Sequence, residues 1–335
     1  MRARPFTAEA MTMTRTLLAI AAALTMTSAM PDDAPSQAAA APSAPAAGSF
    51  EWHTYTGPEG TRRYRLFVPA KLEAGRPAPL VVMLHGCTQD PDDFARGTRF
   101  NHAAADAGVI VAWPEQALAS QPMKCWNWYD PGHQSPRGEP ALVAAIARQV
   151  MAAQSVDPKR VYVAGVSAGA AMAVNTAASY PELFAAVGTH SGISYRAASD
   201  VPQALAVMRS GTTDPAIGAY ALQDALGGRT LPLIAIHGGA DAVVFPVNSR
   251  QLAAQWAGVM RLQSSAPERV TEGGLGVERT VWKGADGKPA VELMIVDGLG
   301  HAWSGGSPEG TYTDPRGPDA AKTILAFLLA HSRQS

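Results

Sequence analysis

The sequence predicts an α/β protein whose core is a doubly wound, mostly parallel sheet. Short apolar runs recur between residues 50 and 335, and most of them are separated by helical stretches of about a dozen residues. Strands that alternate with helices in this way usually form a parallel sheet covered on both faces. In addition, Gly165-Val-Ser-Ala-Gly169 lies between one such apolar run and a helical stretch. A strand, a tight turn and a helix are therefore predicted around Ser167.

The strands are predicted from two patterns. Residues Arg62–Val68 alternate between polar and apolar side chains, as a half-buried strand does. Residues Leu80–Leu84 are continuously apolar, which is typical of a strand buried on both faces. The continuous pattern recurs at residues 109–112, 161–164, 185–187, 233–236 and 291–296.

Helices are predicted at residues 140–154, 168–179, 247–258 and 319–330. Pro140 suits a first helical turn, and Pro181 follows a helix end. The segment 195–230 is predicted to be either a lid or a set of connecting helices, and His133–Arg137 a solvated loop. With no internal repeat and no second linker visible, residues 50–335 are predicted to form one domain.

The first 49 residues are predicted to lie outside this domain. Basic residues up to Arg15 precede an uncharged apolar run, Thr16–Met26, and the small residues Thr27–Ala29 follow. This order is typical of a secretory signal peptide, predicted at 1–30, and the run is too short for a membrane-spanning helix, which needs about 20 apolar residues. Residues 31–49, rich in Ala and Pro, predict a disordered linker. A secreted or periplasmic protein without a membrane anchor is expected.

Composition excludes several classes of protein. The chain has 27 basic and 28 acidic residues among 335, which offers no electrostatic footprint for nucleic acid. A hydrophobic content of 47% is too high for a disordered chain. The His and Cys spacings match no metal-ligand pattern, and no cofactor is predicted. After export, Cys87 and Cys125 could form one disulfide, with two buried free thiols as the alternative.

Ser167 is the candidate nucleophile. The G-x-S-x-G pattern is weak by itself, but a strand-turn-helix context exposes the serine at the top of a sheet. A serine hydroxyl needs a base to take its proton, and in this arrangement an acid and then a histidine follow later in the chain. Asp241 follows the strand at 233–236 and His301 follows the strand at 291–296. We expect both side chains at the sheet edge where Ser167 emerges.

Other residues compete for these roles. Asp297 and Asp214 are alternative acids, although Asp241 fits its loop better. Three further histidines stand at the wrong points in the chain order and are interpreted as structural residues hydrogen-bonded near strand ends: His85, His190 and His237.

The remaining site predictions concern the oxyanion and the substrate. A tetrahedral intermediate needs two backbone N–H donors, and those of Ala168 and Cys87 occupy the expected places. Trp126, Trp128 and Trp303 are predicted to form either an apolar substrate wall or ordinary core packing.

Several longer motifs carry a family resemblance. In order they are His85-Gly-Cys-Thr-Gln89, Trp113-Pro-Glu-Gln116, Cys125-Trp-Asn-Trp-Tyr129, Val156-Asp-Pro-Lys-Arg-Val-Tyr-Val163, Tyr180-Pro-Glu-Leu-Phe-Ala-Ala186, His237-Gly-Gly-Ala-Asp241 and Gly300-His-Ala-Trp-Ser-Gly-Gly306. With the elbow, they resemble the polyhydroxybutyrate (PHB) depolymerase family of esterases, a branch of the α/β-hydrolase fold near the feruloyl and acetylxylan esterases. The resemblance implies Ser167 as nucleophile, Asp241 as acid, His301 as base and Cys87 in the oxyanion region.

The resemblance leads to an expected function. It implies a monomeric secreted serine esterase that forms an acyl-enzyme and hydrolyses hydroxyalkanoate oligomers or polymer, with feruloyl or acetylxylan esters as the alternative. Since no polymer-binding domain follows the last predicted helix, efficient attack on crystalline polymer is not expected, and soluble oligomers, amorphous polymer and small acyl or plant-type esters are the open alternatives. Two functions of other classes are alternatives: a catalytically silent binding protein of this fold and a serine peptidase.

Overall fold

The computed structural model describes residues 46–73 and 75–333. The strands in this part of the chain are β1 (Gly48–Gly57), β2 (Gly60–Pro69), β3 (Ala78–Leu84), β4 (Ile110–Pro114), β5 (Val156–Val166), β6 (Ala186–His190), β7 (Leu233–Gly238), β8 (Glu268–Glu272), β9 (Leu275–Lys283), β10 (Pro289–Val296), β11 (Trp303–Ser304) and β12 (Thr313–Asp314). The helices are α1 (Pro91–Thr98), α2 (Phe100–Ala107), α3 (Gly138–Ala153), α4 (Ala168–Ser179), α5 (Val201–Ser210), α6 (Pro215–Leu226), α7 (Val247–Val259) and α8 (Ala320–Leu329). One 3₁₀ turn spans Pro131–His133.

One large sheet organises the domain. Its strand order is β1-β2-β4-β3-β5-β6-β7-β10-β9-β8. The strands from β4 to β10 in this order are parallel to one another, whereas the outer pairs on both sides are antiparallel. Parallel strands end at the same edge, so the loops after β3, β5, β6, β7 and β10 meet there.

Two apolar layers cover the sheet. Along β5, Val161 and Val163 face one layer while Tyr162 and Ala164 face the other, because side chains alternate along a strand. Helices α3, α4, α6 and α7 contribute to the first layer, and α1, α2 and α8 to the second. Burial on both faces explains why the central strands are continuously apolar in sequence.

The predicted fold class is confirmed, and the predicted central strands and four helices all form. The helix predicted to begin at Pro140 begins at Gly138 and places that proline in its first turn. Strands β1, β8 and β9 and helices α1 and α2 were not predicted. The outer strands are partly exposed and lack a continuous apolar run, and each of the two helices has only 8 residues. Their local patterns are therefore weak.

Two loop predictions resolve differently. The segment 195–230 forms the connecting helices α5 and α6, and α6 packs against α4 and α7. The prediction of a solvated loop at His133–Arg137 is wrong for its first half. Gln134 is buried and its amide donates to Trp128 O and Ala198 O, at 3.0 and 2.7 Å. Gln134 can be buried because two backbone carbonyls satisfy its amide, and such partners leave no mark on the local sequence.

The signal peptide and nearly all of the linker lie outside the described residues. The first strand, β1, begins at Gly48, two positions before the expected start of the domain. Within residues 46–73 and 75–333, every helix is too short or too polar to cross a membrane.

Candidate active site

Ser167 stands on a strained turn between β5 and α4. Its backbone angles are φ 56° and ψ −122°, a conformation that non-glycine residues rarely adopt and that is concentrated at functional sites. The flanking glycines make the turn possible: a Cβ on Gly169 would lie 2.1 Å from the Leu84 carbonyl oxygen, and one on Gly165 would lie 2.6 Å from the same oxygen. Any larger residue would push β3 and β5 apart or open the turn.

A continuous hydrogen-bonded chain joins Ser167, His301 and Asp241. The distance from His301 Nε2 to Ser167 Oγ is 3.0 Å, and that from His301 Nδ1 to Asp241 Oδ2 is 2.7 Å. These residues follow β5, β10 and β7 respectively, whose carboxyl ends share one edge of the sheet. With Nδ1–H donating to the carboxylate, Nε2 is left to accept the serine proton.

The loops that carry His301 and Asp241 are fastened to each other. Gly239 N–H donates to Val296 O at 2.7 Å, and Ala240 N–H donates to Leu299 O at 2.9 Å. Gly238 allows this close approach, since a Cβ there would lie 2.3 Å from Gly300 O. The imidazole and the carboxylate are thus oriented by backbone contacts as well as by their own hydrogen bond.

Asp241 is held as a carboxylate. It is 3% exposed, and its Oδ1 accepts N–H bonds from Val243 and Val244, both at 2.9 Å. Burial by itself would raise the pKa of this carboxyl, but hydrogen bonds from His237 and His301 outweigh it and hold the pKa well below the usual range. The group therefore stays ionised and can stabilise a protonated His301.

Two groups next to Asp241 were not predicted to touch it. Ser191 Oγ donates to Asp241 Oδ2 at 3.0 Å, and His237 Nε2 lies 3.3 Å from the same oxygen. His190 Nδ1 lies 3.3 Å from Ser191 Oγ, which extends the polar chain behind the acid. Both histidines are predicted from the sequence as structural residues, whereas Ser191 is a contact of the acid that only the structure reveals. Its position directly after β6, between β5 and β7, was the available signal.

The disulfide prediction is confirmed, and it lies beside the nucleophile. Cys87 and Cys125 are bridged with their Cα atoms 4.1 Å apart. The loop after β3 passes close to the serine, since a Cβ on Gly86 would lie 3.6 Å from Ser167 Cβ. Gly86 N–H donates to Gln89 Oε1 at 3.0 Å and Thr88 N–H to Met123 O at 2.7 Å, which fixes the backbone on both sides of Cys87.

A buried polar network also holds the loop after β3 in place. His85 Nε2 accepts the Gln116 backbone N–H at 3.0 Å, and His85 Nδ1 lies 2.7 Å from Gly86 O. The neutral tautomer that satisfies both contacts carries its proton on Nδ1. Gln116 donates to Glu139, whose carboxylate also accepts the backbone N–H of Asn127 at 2.8 Å. Glu139, not singled out in the sequence, thereby connects Asn127, close to Cys125, with Gln116, whose backbone in turn contacts His85.

The tryptophans are core residues. Trp126 is 0% exposed and Trp303 is 1% exposed, while Trp128 is also buried. Trp126 Nε1 donates to His85 O at 3.1 Å, and the Trp303 ring stacks on that of His190 with centroids 5.3 Å apart. Of the two interpretations, burial favours core packing over a substrate wall, because buried indoles present little surface to a ligand.

The competing acids are engaged elsewhere. Asp297 is exposed and forms an ion pair with Arg269. Asp214 is exposed and caps α6 by accepting the Ala216 N–H at 3.1 Å. Within the described residues, no group of three or more His, Cys, Asp and Glu side chains is placed to hold a metal ion.

The buried histidines predict a pH dependence of stability. Burial lowers the pKa of His85 to about 4 and that of His190 to about 3, from an ordinary value near 6.5. Between these values the unfolded chain binds protons that the folded chain does not, so stability is complete above pH 6.5 and falls as pH decreases. From pH 7 to 5 the free energy of unfolding should drop by about 2 kcal/mol per histidine, or about 4 kcal/mol together. Urea unfolding at pH 7, 6 and 5 measures it.

His85→Gln provides the internal control for this prediction. The variant lacks one of the two titrating groups, so its loss between pH 7 and 5 should be about half that of the native chain. Comparing each protein with itself at two pH values removes the cost of the substitution. Equal stability of the native chain at pH 7 and 5 would contradict the prediction.

The sequence also matches a known protein family. A profile described as Esterase PHB depolymerase matches residues 62–271. The chain belongs to this family. The matched range contains Ser167 and Asp241 and ends before His301. The description names an esterase, which is the enzyme class that the motifs predicted.

Relatives of two kinds are similar to the chain. Poly(3-hydroxyalkanoate) depolymerase C of Paucimonas lemoignei is 32% identical over 78% of this chain and 62% of that protein. Acetylxylan esterase A of Emericella nidulans is 29% identical over 71% of this chain and 79% of that protein. This chain thus spans less than two thirds of the depolymerase.

Solved structures show the same fold. An acetyl xylan esterase from Aspergillus awamori superimposes with a TM-score of 0.63 at 23% identity, covering 75% of this chain and 94% of that one. An S-formylglutathione hydrolase from Agrobacterium tumefaciens superimposes with a TM-score of 0.53 at 16% identity, covering 79% and 92%. The α/β-hydrolase fold is therefore confirmed.

Proposed function

We propose that the protein is a secreted serine esterase in which Ser167, His301 and Asp241 form the catalytic triad. The observation that carries this is the unbroken chain of hydrogen bonds from Ser167 Oγ through His301 to Asp241 Oδ2, at 3.0 and 2.7 Å. It ends at a strained serine on the open edge of the sheet. A binding protein that merely kept the fold would have no need to hold these three groups in register.

The proposed reaction is acyl transfer through the serine. Ser167 Oγ attacks the ester carbonyl carbon while His301 Nε2 takes its proton, and Asp241 stabilises the resulting imidazolium. The backbone N–H groups of Ala168 and Cys87 stabilise the negative charge on the carbonyl oxygen. The intermediate collapses, the bond to the alcohol breaks, and His301 returns the proton to the departing alkoxide oxygen.

The acyl-enzyme then reacts with water. His301 Nε2 takes a proton from the water as its oxygen attacks the acyl carbon. The second intermediate then collapses: the bond between the acyl carbon and Ser167 Oγ breaks, His301 returns the proton to Oγ, and the carboxylic acid is released. This sequence uses no metal and no cofactor. Its demands on the protein are an ionised Asp241, a neutral His301 and a rigid oxyanion loop, and the disulfide between Cys87 and Cys125 supports the last of these.

The proposed substrates are short hydroxyalkanoate esters. The similarity to the Paucimonas lemoignei depolymerase, at 32% identity, supports this choice. Acetylated or feruloylated carbohydrates are the second candidate, supported by the similarity to acetylxylan esterase A and by its fuller coverage, 79% of that protein. Secretion is supported by the Cys87–Cys125 disulfide, because disulfides persist in oxidising compartments.

A substrate panel tests the proposal. The purified chain is assayed on hydroxybutyrate oligomers, amorphous PHB, acetylated xylan, methyl ferulate, nitrophenyl acetate and a peptide nitroanilide. We expect rapid turnover of nitrophenyl acetate and of hydroxybutyrate oligomers and little turnover of the anilide. Faster hydrolysis of acetylated xylan or methyl ferulate would move the substrate to the carbohydrate esters. Absence of hydrolysis from every ester would contradict the esterase and favour a binding protein.

A further inference from the structure

Tyr312 is an exposed aromatic residue beside the catalytic histidine. Its ring centroid lies 6.4 Å from that of His301 with an interplanar angle of 75°, an edge-to-face contact. The side chain is 39% exposed, in contrast to the buried tryptophans nearby. Its φ is 53°, a left-handed conformation that is uncommon for a bulky residue. Surrounding contacts must hold the backbone of Tyr312 in this conformation, and backbone strain of this kind is concentrated at active sites and ligand-binding positions.

The surrounding loop is tied down on both sides of Tyr312. On one side, Thr311 N–H donates to Asp93 Oδ1 at 3.0 Å, and Gln89 Nε2 donates to Thr311 O at 3.1 Å. On the other, Trp303 N–H, two residues after His301, donates to Tyr312 O at 2.8 Å. The ring is thus carried by a backbone that is fixed to the histidine loop and to α1. It is a rigid feature of the site and not a loosely attached surface residue.

The phenol spans the site to the oxyanion loop. Tyr312 Oη lies 3.3 Å from Thr88 Oγ1, and Thr88 Oγ1–H donates to Cys87 O at 2.6 Å. Since the threonine hydrogen is used in that bond, the tyrosine hydroxyl is the donor between the two. Thr88 also has a positive φ, 66°. Two residues with positive φ, 224 positions apart, therefore meet here, Tyr312 in contact with His301 and Thr88 next to Cys87.

We propose that Tyr312, positioned by Thr88, forms the subsite for the alcohol part of the ester. The inference rests on the proposed function and assigns one side of its site. His301 Nε2 returns a proton to the departing alcohol oxygen, so the alcohol must lie beside that histidine when the bond breaks. Tyr312 is the exposed ring that contacts His301, and its hydroxyl is already satisfied by Thr88. What remains for the substrate is an apolar ring surface.

The chemistry of that surface defines the ligand. An aromatic ring favours an alcohol with an apolar C–H face, because burying that face against the ring removes apolar area from water. Both the methyl and methylene groups of a hydroxyacyl ester and the C–H face of a sugar ring have this property. A methyl alcohol is too small to cover the ring. Selectivity between large and small alcohols should therefore depend on Tyr312.

The test varies the alcohol while the acyl group stays constant. Methyl, cyclohexyl and benzyl acetate all form the same acetyl-enzyme, so differences in kcat/KM among them report the alcohol side alone. Tyr312→Ala should lower kcat/KM for cyclohexyl and benzyl acetate about tenfold more than for methyl acetate. It should leave unchanged the ratio of methyl butyrate to methyl acetate. Tyr312→Phe, which keeps the ring, should retain the native preference for the larger alcohols.

Tyr220→Ala is the matched control, since that tyrosine is 71% exposed on α6 and has no part in the proposed mechanism. It should leave the whole series unchanged. Equal losses on all three acetates in Tyr312→Ala would overturn the inference and indicate an effect through His301. A changed butyrate-to-acetate ratio would overturn it by placing the ring on the acyl side. Far-UV circular dichroism of each variant confirms folding.

Two further substrates distinguish the source of the alcohol. A hydroxybutyrate dimer and an acetylated xylobiose are compared next. In Tyr312→Ala, the ester that the native enzyme hydrolyses faster should lose more of its kcat/KM than the other ester. Unchanged kcat/KM for both would overturn the inference. The proposed function has a separate failure. If the native chain hydrolysed neither these acetates nor any ester of the substrate panel, the esterase and this subsite would both be rejected. Native activity with a uniform variant effect would reject the subsite alone.

Discussion

Ser167→Ala is expected to lower kcat for ester hydrolysis by on the order of a millionfold. Alanine has no oxygen to attack the carbonyl, so no acyl-enzyme can form and only the oxyanion donors and substrate binding remain. Because Ser167 Oγ makes only the hydrogen bond to His301 among the side-chain contacts described, the fold should tolerate its removal. The measurement is turnover of nitrophenyl acetate by native and variant protein, with circular dichroism for folding.

Covalent labelling provides a second readout for Ser167. Mass spectrometry should show one covalently bound fluorophosphonate label per native chain and none on Ser167→Ala, since only an activated serine reacts. Ser210→Ala is the matched control, because this exposed serine at the end of α5 donates only to backbone carbonyls. It should keep native turnover and labelling. Undiminished hydrolysis by Ser167→Ala would reject the serine as nucleophile.

Asp241→Asn is expected to reduce kcat by on the order of 10⁴-fold. A neutral amide does not stabilise the imidazolium and favours the wrong tautomer of His301. The groups around Asp241 should increase this loss of kcat. Asp241 accepts hydrogen bonds from Val243 N–H, Val244 N–H and Ser191 Oγ, and each of these donors requires an acceptor. One of these donors would face the amide NH₂ group. Steady-state kinetics across pH 5–9 measures the loss.

Asp297→Asn is the matched control for this prediction. Asp297 also follows a strand and was a competing acid in the sequence, but it is exposed and pairs with Arg269. An exposed ion pair contributes little, so this variant should keep activity within about twofold of the native enzyme. A large loss in Asp297→Asn with a mild effect in Asp241→Asn would reverse the assignment of the acid.

The central sheet and the strand-turn-helix at Ser167 could be predicted because their signals are local. A continuous apolar run is required wherever a strand is buried on both faces, and Gly165 and Gly169 are required wherever a turn is this tight. The disulfide partners could also be predicted, since the chain has only two cysteines. The outer strands and the short helices α1 and α2 were missed because partial exposure removes the periodicity that would have marked them.

The environment of Asp241 required the structure. Ser191 and His301 lie 50 and 60 positions from it along the chain, and only the order β5-β6-β7-β10 brings the ends of their strands together. The tryptophans show the converse. Their type and spacing allowed either a substrate wall or core packing, and their burial in the folded chain favours core packing.

The sequence by itself determined the fold class, the family and the three candidate residues Ser167, Asp241 and His301, because each is marked by a pattern within a short segment or by chain order. Only the tertiary structure showed the hydrogen bonds that hold Asp241 ionised and the meeting of Tyr312 with Thr88 across 224 positions. The physical reason is that such contacts depend on strand order, on loop packing and on which side chains lose their water. Those quantities belong to the folded chain and have no signature in any one segment.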